Sequence, residues 1–63
     1  MIYRIMHWDT FDNETLQVGK VYSLEEARKF IKKRYGDRIS PQGADRVEVV
    51  DSEGNVVYQE NVK

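Results

Sequence analysis

The residues best suited to acid–base or metal chemistry lie close together near the start of the chain. His7 and Asp9 are two positions apart, which places them on one face of a strand. Asp12 and Glu14 follow in a segment rich in turn formers. A calcium loop needs oxygen ligands at alternate positions, a central glycine and a distal glutamate, and this spacing lacks that pattern. The cluster is more typical of a turn with solvated acids and a surface histidine, so we expect no metal site.

Residues for covalent or phosphoryl chemistry are scarce. The 63 residues include no cysteine and one histidine, and they contain no glycine-rich phosphate loop. The serines are accounted for by a helix cap at Ser23 and by turns at Ser40 and Ser52. A chain this short offers no cleft in which paired carboxylates would acquire shifted pKa values. We therefore expect a non-enzymatic protein with no catalytic residues, no cofactor and no small-molecule substrate.

Basic side chains are concentrated in residues 28–38. This window has six of the ten basic residues and one acid, so it carries +5 (6 − 1), whereas the rest of the chain carries −6 (4 − 10). Basic residues beside aromatic residues can bind phosphate backbones, with Trp8 or Tyr58 stacking on bases. The residues that would make anion or nucleic-acid contacts are Arg28, Lys29, Lys32, Lys33 and Arg38.

A solvated helix surface explains the same basic residues more simply. Cations near the end of a helix interact favourably with its dipole, and Glu25 can pair with Lys29 at i, i+4. The formal charge of the whole chain is −1, whereas nucleic-acid-binding domains are usually strongly basic. Nucleic-acid binding by an accessory protein is therefore the alternative function and is disfavoured.

The elements that position these side chains begin with a helix predicted over residues 23–36. Ser23 and Glu26 form a capping-box pattern, and Gly36 supplies a residue that can end the helix. A single apolar stripe runs along the helix and consists of Leu24, Ala27, Phe30, Ile31 and Tyr35. Because a helix of about a dozen residues is marginal alone in water, we expect it to dock on a sheet.

Two strands are predicted before the helix, over residues 1–9 and 15–22, joined by a turn at 10–14. In the first strand Tyr3, Ile5 and His7 share the face that we assign to the helix, which leaves Met6 and Trp8 on the other face; the reverse assignment stays open. In the second strand Val21 is out of phase with Leu16 and Val18. A bulge at Gly19, with glycine in the left-handed region, would return Val21 to the inner face.

A hairpin is predicted after the helix, over residues 45–62, preceded by a loop at 37–44 with a type I turn from Ser40 to Gly43. Ser52, Glu53 and Gly54 fit a three-residue hairpin loop. A regular register from that loop predicts the pairs Val50–Val56, Val49–Val57, Glu48–Tyr58, Val47–Gln59 and Arg46–Glu60.

These elements predict an α+β fold consisting of one domain over residues 1–63. The order is ββαββ, with a four-stranded, mostly antiparallel sheet in the order 2-1-3-4 and the helix on one face.

The sheet face away from the helix is the most informative feature of the sequence, because it is not polar. Its predicted members are Met6, Trp8, Val50, Val56 and Tyr58. A contiguous apolar patch of this kind on a small domain marks an interaction surface. A homodimer interface, a surface for another protein or ligand, and ordinary cross-strand pairing all remain open. We expect a self-associating interaction module that uses this face or an edge strand.

Composition also bears on stability and compartment. A chain of 63 residues buries only roughly 60% of the surface that its unfolded form exposes, so a partner subunit is an expected source of stability. No apolar run approaches the roughly 18 residues of a membrane span, and the opening residues MIYRIMHW lack the apolar core of a signal peptide. We expect a cytoplasmic protein.

The opening M-x-Y and the helix beginning SLEEA resemble antitoxin-like domains of the HicB type over the first half of the chain. Those domains place a similar helix after a meander of strands. This chain has two strands before its helix and a hairpin after it, so the resemblance implies no function here.

Overall fold

The computed structural model covers residues 1–63 and confirms the predicted α+β fold. The elements in chain order are β1 (Tyr3–Asp9), β2 (Glu14–Val21), α1 (Leu24–Tyr35), a 3-10 turn (Gly36–Arg38), β3 (Asp45–Val50) and β4 (Val56–Val62). The sheet order is β2-β1-β3-β4, and every neighbouring pair is antiparallel. None of the helical segments has the length and apolar character required to cross a membrane.

Helix α1 begins and ends at the predicted residues. The Ser23 side chain accepts a hydrogen bond from the Glu26 backbone N–H at 3.1 Å, which satisfies one of the free donors of the first turn. Only this half of the predicted capping box forms. At the other end Gly36 has a φ of +44° and its N–H binds the Lys32 carbonyl. A positive φ is readily available to glycine, which explains why the helix ends there.

The core lies between α1 and the sheet and is formed by only eight buried residues, all hydrophobic. Ile5 on β1 and Val47 and Val49 on β3 are fully buried beneath Ala27 and Ile31 of the helix. The predicted assignment of Tyr3, Ile5 and His7 to the helix side is therefore confirmed. The complete set of buried residues is Ile5, Val21, Ala27, Ile31, Tyr35, Val47, Val49 and Val62.

The predicted bulge in β2 is present, but the predicted reason for Gly19 is wrong. Ile5 pairs with Gly19 and Met6 with Gln17, so Val18 is the extra residue and Val21 returns to the core. Gly19 does not have a positive φ. Its role is steric, because a Cβ at this position would lie 2.6 Å from Cζ of Phe30. The missing side chain makes room for an aromatic ring of α1 against the sheet.

The register predicted for the hairpin is wrong beyond its first pair. The turn forms as predicted, with Gly54 at a φ of +87°, and Val50 pairs with Val56. Val57 is then an extra residue, so that Val49 pairs with Tyr58 instead of Val57. The remaining pairs are Glu48–Gln59, Val47–Glu60, Arg46–Asn61 and Asp45–Val62.

Burial of polar groups explains why this bulge forms. Without it, Gln59 and Asn61 would face the helix and Val62 would face solvent. With it, Val62 is fully buried and both amides point away from the core. Burying an amide without a partner costs a few kcal/mol, whereas burying a valine is favourable by roughly 1.5–3 kcal/mol.

The segment after the helix closes one edge of the sheet. The predicted turn forms with a Gly43 N–H to Ser40 carbonyl bond of 3.0 Å. Ile39 makes an isolated bridge to Val62, and the Ser40 N–H binds the Asn61 carbonyl at 2.9 Å. The outer edge of β4 is therefore partly paired, whereas β2 forms the other edge.

The contact between Gly19 and Phe30 generates a prediction about stability. Gly19→Ala should lower the free energy of unfolding by about 1–2 kcal/mol, because the new methyl group overpacks against the ring. In a Phe30→Leu background, which removes the Cε and Cζ atoms that approach Gly19, the same change should be neutral or stabilising. Urea denaturation of the four chains measures both effects. An equal cost of Gly19→Ala in both backgrounds would contradict a steric role.

Candidate interaction surfaces

Four of the five predicted interaction residues lie together on the sheet face away from α1, which we call the open face. Met6 and Trp8 occupy its centre on β1. Val50 pairs with Arg4 on one side and with Val56 on the other, and directly opposed residues of antiparallel strands share a face. Met6, Trp8, Val50 and Val56 therefore share the open face, with Val50 and Val56 level with Arg4 and not with Met6 or Trp8.

Trp8 is partly covered by its neighbour on β3. The Arg46 guanidinium lies over the indole, 4.7 Å from the ring centroid, in a cation–π contact. Its Nε is 3.5 Å from Glu48 Oε2 but lacks the geometry of a hydrogen bond, and it is buried without a partner. Glu48 thus compensates the Arg46 charge, and the centre of the open face carries one ion pair beside an aromatic ring.

The prediction that Tyr58 belongs to the open face is wrong. The bulge at Val57 turns Tyr58 toward the helix, where its hydroxyl donates to Glu60 Oε1 at 2.7 Å. This hydrogen bond, then burial and the Glu60 charge, raise the pKa of Tyr58 above 10.0. The Arg28 guanidinium lies 5.3 Å from the ring centroid. Tyr58 therefore belongs to a contact between β4 and α1.

A cleft of about 300 Å³ opens at this contact, which we call the α1–β4 cleft. Its apolar walls are Leu24 from the first turn of the helix and Val57 and Tyr58 from β4, and its charged rim is Glu25 and Arg28. Because Leu24 and Val57 are both exposed, the apolar walls are open to solvent.

The predicted basic residues are spread around the helix. Arg28 points toward β4, whereas Lys33 lies with Phe30 and Arg34 at a second cleft, of about 420 Å³. Lys29 lies 3.6 Å from Glu25, and Lys32 is exposed in the last turn. Arg38 lies 5.4 Å from the Tyr35 centroid, and its Nε donates to the Lys63 carbonyl at 2.9 Å.

The structure also separates the basic residues from Trp8. The helix covers one face of the sheet and Trp8 lies on the other, so the predicted combination of the basic helix with Trp8 does not form a single surface. Tyr58 does lie beside Arg28, but the guanidinium is over its ring. Stacking of a base on Tyr58 would have to displace Arg28.

A hydrogen-bonded group that the sequence did not predict joins α1 to two strands. His7 Nδ1 lies 2.8 Å from the Tyr35 hydroxyl oxygen, and Nε2 lies 3.1 Å from Asp45 Oδ2. Both bonds are satisfied when Nε2–H donates to the carboxylate and the Tyr35 hydroxyl donates to Nδ1. Asp45 Oδ1 also accepts from the Thr10 N–H at 3.1 Å. Tyr35 and His7 were assigned to the inner face, but nothing local indicated Asp45, which is 38 residues from His7.

The hydrogen bonds of these groups join α1, β1 and the start of β3. The Thr10 N–H, followed by the hydrogen bond from His7, lowers the pKa of Asp45 below 3.8. Tyr35 is buried, so its hydroxyl is accessible only to the groups around it. His7 does not assemble with Asp9, whose Oδ1 instead accepts from turn N–H groups. No cluster of three or more histidines or acids is placed to hold a metal ion.

Comparison with protein-family models, with curated proteins and with solved structures finds no match to this chain. No such match supports the resemblance to antitoxin-like domains. Function must therefore be inferred from the surfaces themselves.

The lowered pKa of Asp45 generates a prediction about acid stability. A carboxylate whose pKa is depressed in the folded state stabilises the fold above its unfolded value, here 3.8, and this contribution is lost as the pH falls through the folded pKa. Asp45→Asn should therefore be less stable than the parent at pH 7, and the difference should shrink below about pH 4. Thermal unfolding across pH 2–7 measures this difference.

Asp12→Asn provides the matched control, because the Asp12 carboxylate accepts no hydrogen bond although it lies in the adjacent turn. It should leave stability at pH 7 nearly unchanged. A constant difference between parent and Asp45→Asn over the whole pH range would be incompatible with a stabilising ionised Asp45.

Proposed function

We propose that this chain is a small, non-enzymatic interaction module that self-associates through its open face. The observation that carries the proposal is that Met6 and Trp8 on β1, together with Val50 and Val56, lie on the sheet face that α1 does not cover. A β-sheet with an apolar face is stabilised by covering that face with a second layer. A second copy of the chain provides this layer symmetrically.

The small core supports this proposal. Only eight residues are buried, and they occupy the space between the sheet and α1. Domains of this length commonly depend on disulfides, a metal or a partner subunit, and the chain has no cysteine. A contact across the open face would add a second core on the other side of the sheet.

The arrangement of side chains on the open face also suits a dimer. The two longest dimensions of the whole domain are 30 and 22 Å, and they set the upper limit on the face that a partner can cover. Interfaces are depleted in charge at their centre and have a polar rim. On the open face here, the two edge strands present uncharged residues, Thr15 and Gln17 on β2 and Gln59 and Asn61 on β4, whereas the charges of Arg46 and Glu48 on β3 are paired with each other. Arg4 and Lys20 lie at one end.

Self-association through an apolar face should depend little on ionic strength. Nucleic-acid binding through Arg28, Lys29, Lys32, Lys33 and Arg38 would instead weaken steeply as salt is added, because each phosphate contact releases a counterion. Salt dependence therefore distinguishes the two functions. The absence of cysteine fits a reducing compartment, and we propose the cytoplasm as the place of action.

Two exposed apolar residues on the two edge strands give a matched test. Val56 lies on the open face and is 48% exposed, whereas Leu16 lies on the helix side of β2 and is 53% exposed. Val56→Glu should weaken self-association by about tenfold or more, because it places a charge in the interface without disturbing the core. Leu16→Glu should leave it unchanged. Sedimentation velocity over a concentration series measures the association constant.

The parent should show the same association at low and moderate salt. A parent that stays monomeric at millimolar concentration would overturn the proposal, as would equal effects of the two variants. A steep loss of association with added salt would contradict an apolar interface and favour a contact through the basic residues of the helix.

A further inference from the structure

The tip of the β1–β2 connection carries an exposed aromatic residue that neither the core nor the open face uses. Phe11 is 95% exposed, the highest exposure of any large apolar side chain in the domain. The turn around it is held in place. Its N–H binds Asp9 Oδ1 at 2.9 Å, and the preceding Thr10 N–H binds Asp45 Oδ1 at 3.1 Å. Phe11 is thus presented to solvent by a well-anchored turn.

The turn is also acidic. Asp12 and Glu14 follow Phe11 closely in the chain, and neither carboxylate lies within 4 Å of a basic group. An exposed aromatic ring flanked by unpaired negative charges is a surface that fits an apolar cleft with a positive rim.

The α1–β4 cleft has these complementary properties. Leu24, Val57 and Tyr58 form its apolar walls, and Arg28 lies at its rim beside Glu25, whose carboxylate is 3.6 Å from Lys29. The Arg28 guanidinium contacts the Tyr58 ring but has no carboxylate within 4 Å. Among the residues that line the cleft, Arg28 is therefore the one charge without an ion-pair partner. A volume of about 300 Å³ lies at the lower limit of ligand pockets, which suits a single side chain.

The turn cannot reach the cleft of its own chain. Tyr58 pairs with Val49, which pairs with Ile5, so the cleft is level with Ile5. From Ile5 to Asp9 the chain advances about 13 Å along the sheet at ~3.3 Å per residue, and Phe11 lies beyond Asp9. The cleft is at the β4 edge, whereas the turn connects β1 to β2. Contact between the two features must be intermolecular.

We infer that the α1–β4 cleft binds Phe11 of a second copy of this chain, with the acidic turn of that copy against Arg28. The contact joins two different patches, the turn of one copy and the cleft of another. It closes as a pair if the two copies exchange turns about a two-fold axis, and it extends to further copies if they do not. The inference is independent of the open face, since Phe11 and the cleft lie outside that surface.

The test uses chains carrying Val56→Glu, which is expected to weaken association through the open face, and two further variants. Phe11→Ser removes the ring, and Leu24→Glu places a carboxylate in the cleft, at the first helical position where an acid is well tolerated. In this background, either variant alone should raise the dissociation constant by about tenfold or more relative to Val56→Glu, the effect of losing one buried aromatic contact.

Mixing the two variants tests the pairing of turn and cleft directly. The Leu24→Glu chain keeps an intact turn and the Phe11→Ser chain keeps an intact cleft, so a one-to-one mixture should restore a dimer and no larger species. Sedimentation velocity measures the species, and circular dichroism verifies that each variant is folded. Tyr22→Ser is the matched control, because Tyr22 is also an exposed aromatic residue, 60% exposed, outside β1 and β2.

The inference is overturned if Phe11→Ser associates as Tyr22→Ser does, or if the mixture of folded variants stays monomeric. Either result would leave the open-face proposal standing, since that depends on the effect of Val56→Glu in the parent. Conversely, if Val56→Glu changes nothing in the parent while the mixture forms a dimer, the open-face proposal fails and this inference holds.

Discussion

One helix of twelve residues can cover only one face of a four-stranded sheet, and the rest of the structure depends on this constraint. The whole core lies under α1, where Ile5 and Val49 meet Ala27 and Ile31. Every side chain on the other face must either be polar or find another partner. β1 is a central strand, and Met6 and Trp8, on its face away from the helix, are apolar. Because the domain has one helix, no second layer covers these side chains.

Two bulges determine which side chains of β2 and β4 face the helix. Only the bulge in β2 could be predicted from the sequence. In β2 the extra residue is Val18, and the phase slip between Leu16 and Val21 was visible because polar residues separate the apolar ones. In β4 the apolar residues Val56 and Val57 are adjacent, so either could face the helix. The register is determined by Gln59, Asn61 and Val62, which lie further along β4, because the bulge buries Val62 and turns the two amides away from the core. The helix, the turns and the strand order were predicted correctly, whereas the inner face of β1 was assigned with the reverse left open, and the register of β4 and the place of Tyr58 were predicted wrongly.

The hydrogen bonds that join α1 to β1 and β3 could not be predicted from the sequence, for a different reason. Tyr35 has the spacing of a core residue, and it is one, but its hydroxyl needs a partner inside the protein. His7 provides that partner through Nδ1, and its Nε2 is hydrogen-bonded to Asp45 at the start of β3. Tyr35 and Asp45 are 28 and 38 positions from His7 along the chain, so only the strand order brings the three residues together. The same Asp45 holds the Thr10 N–H, which links the buried tyrosine to the position of the acidic turn.

The basic and acidic residues of the chain lie at different places on the domain. The segment with a charge of +5 lies on the helix and the residues after it, whereas Asp9, Asp12 and Glu14 lie at the turn end of the sheet. Unlike charges at separate places on one molecule favour contacts between different parts of two copies. The proposed contact between two open faces would be satisfied once a pair has formed. Because the two surfaces lie on different parts of the domain, such a pair would leave its turns and clefts available for contacts between pairs.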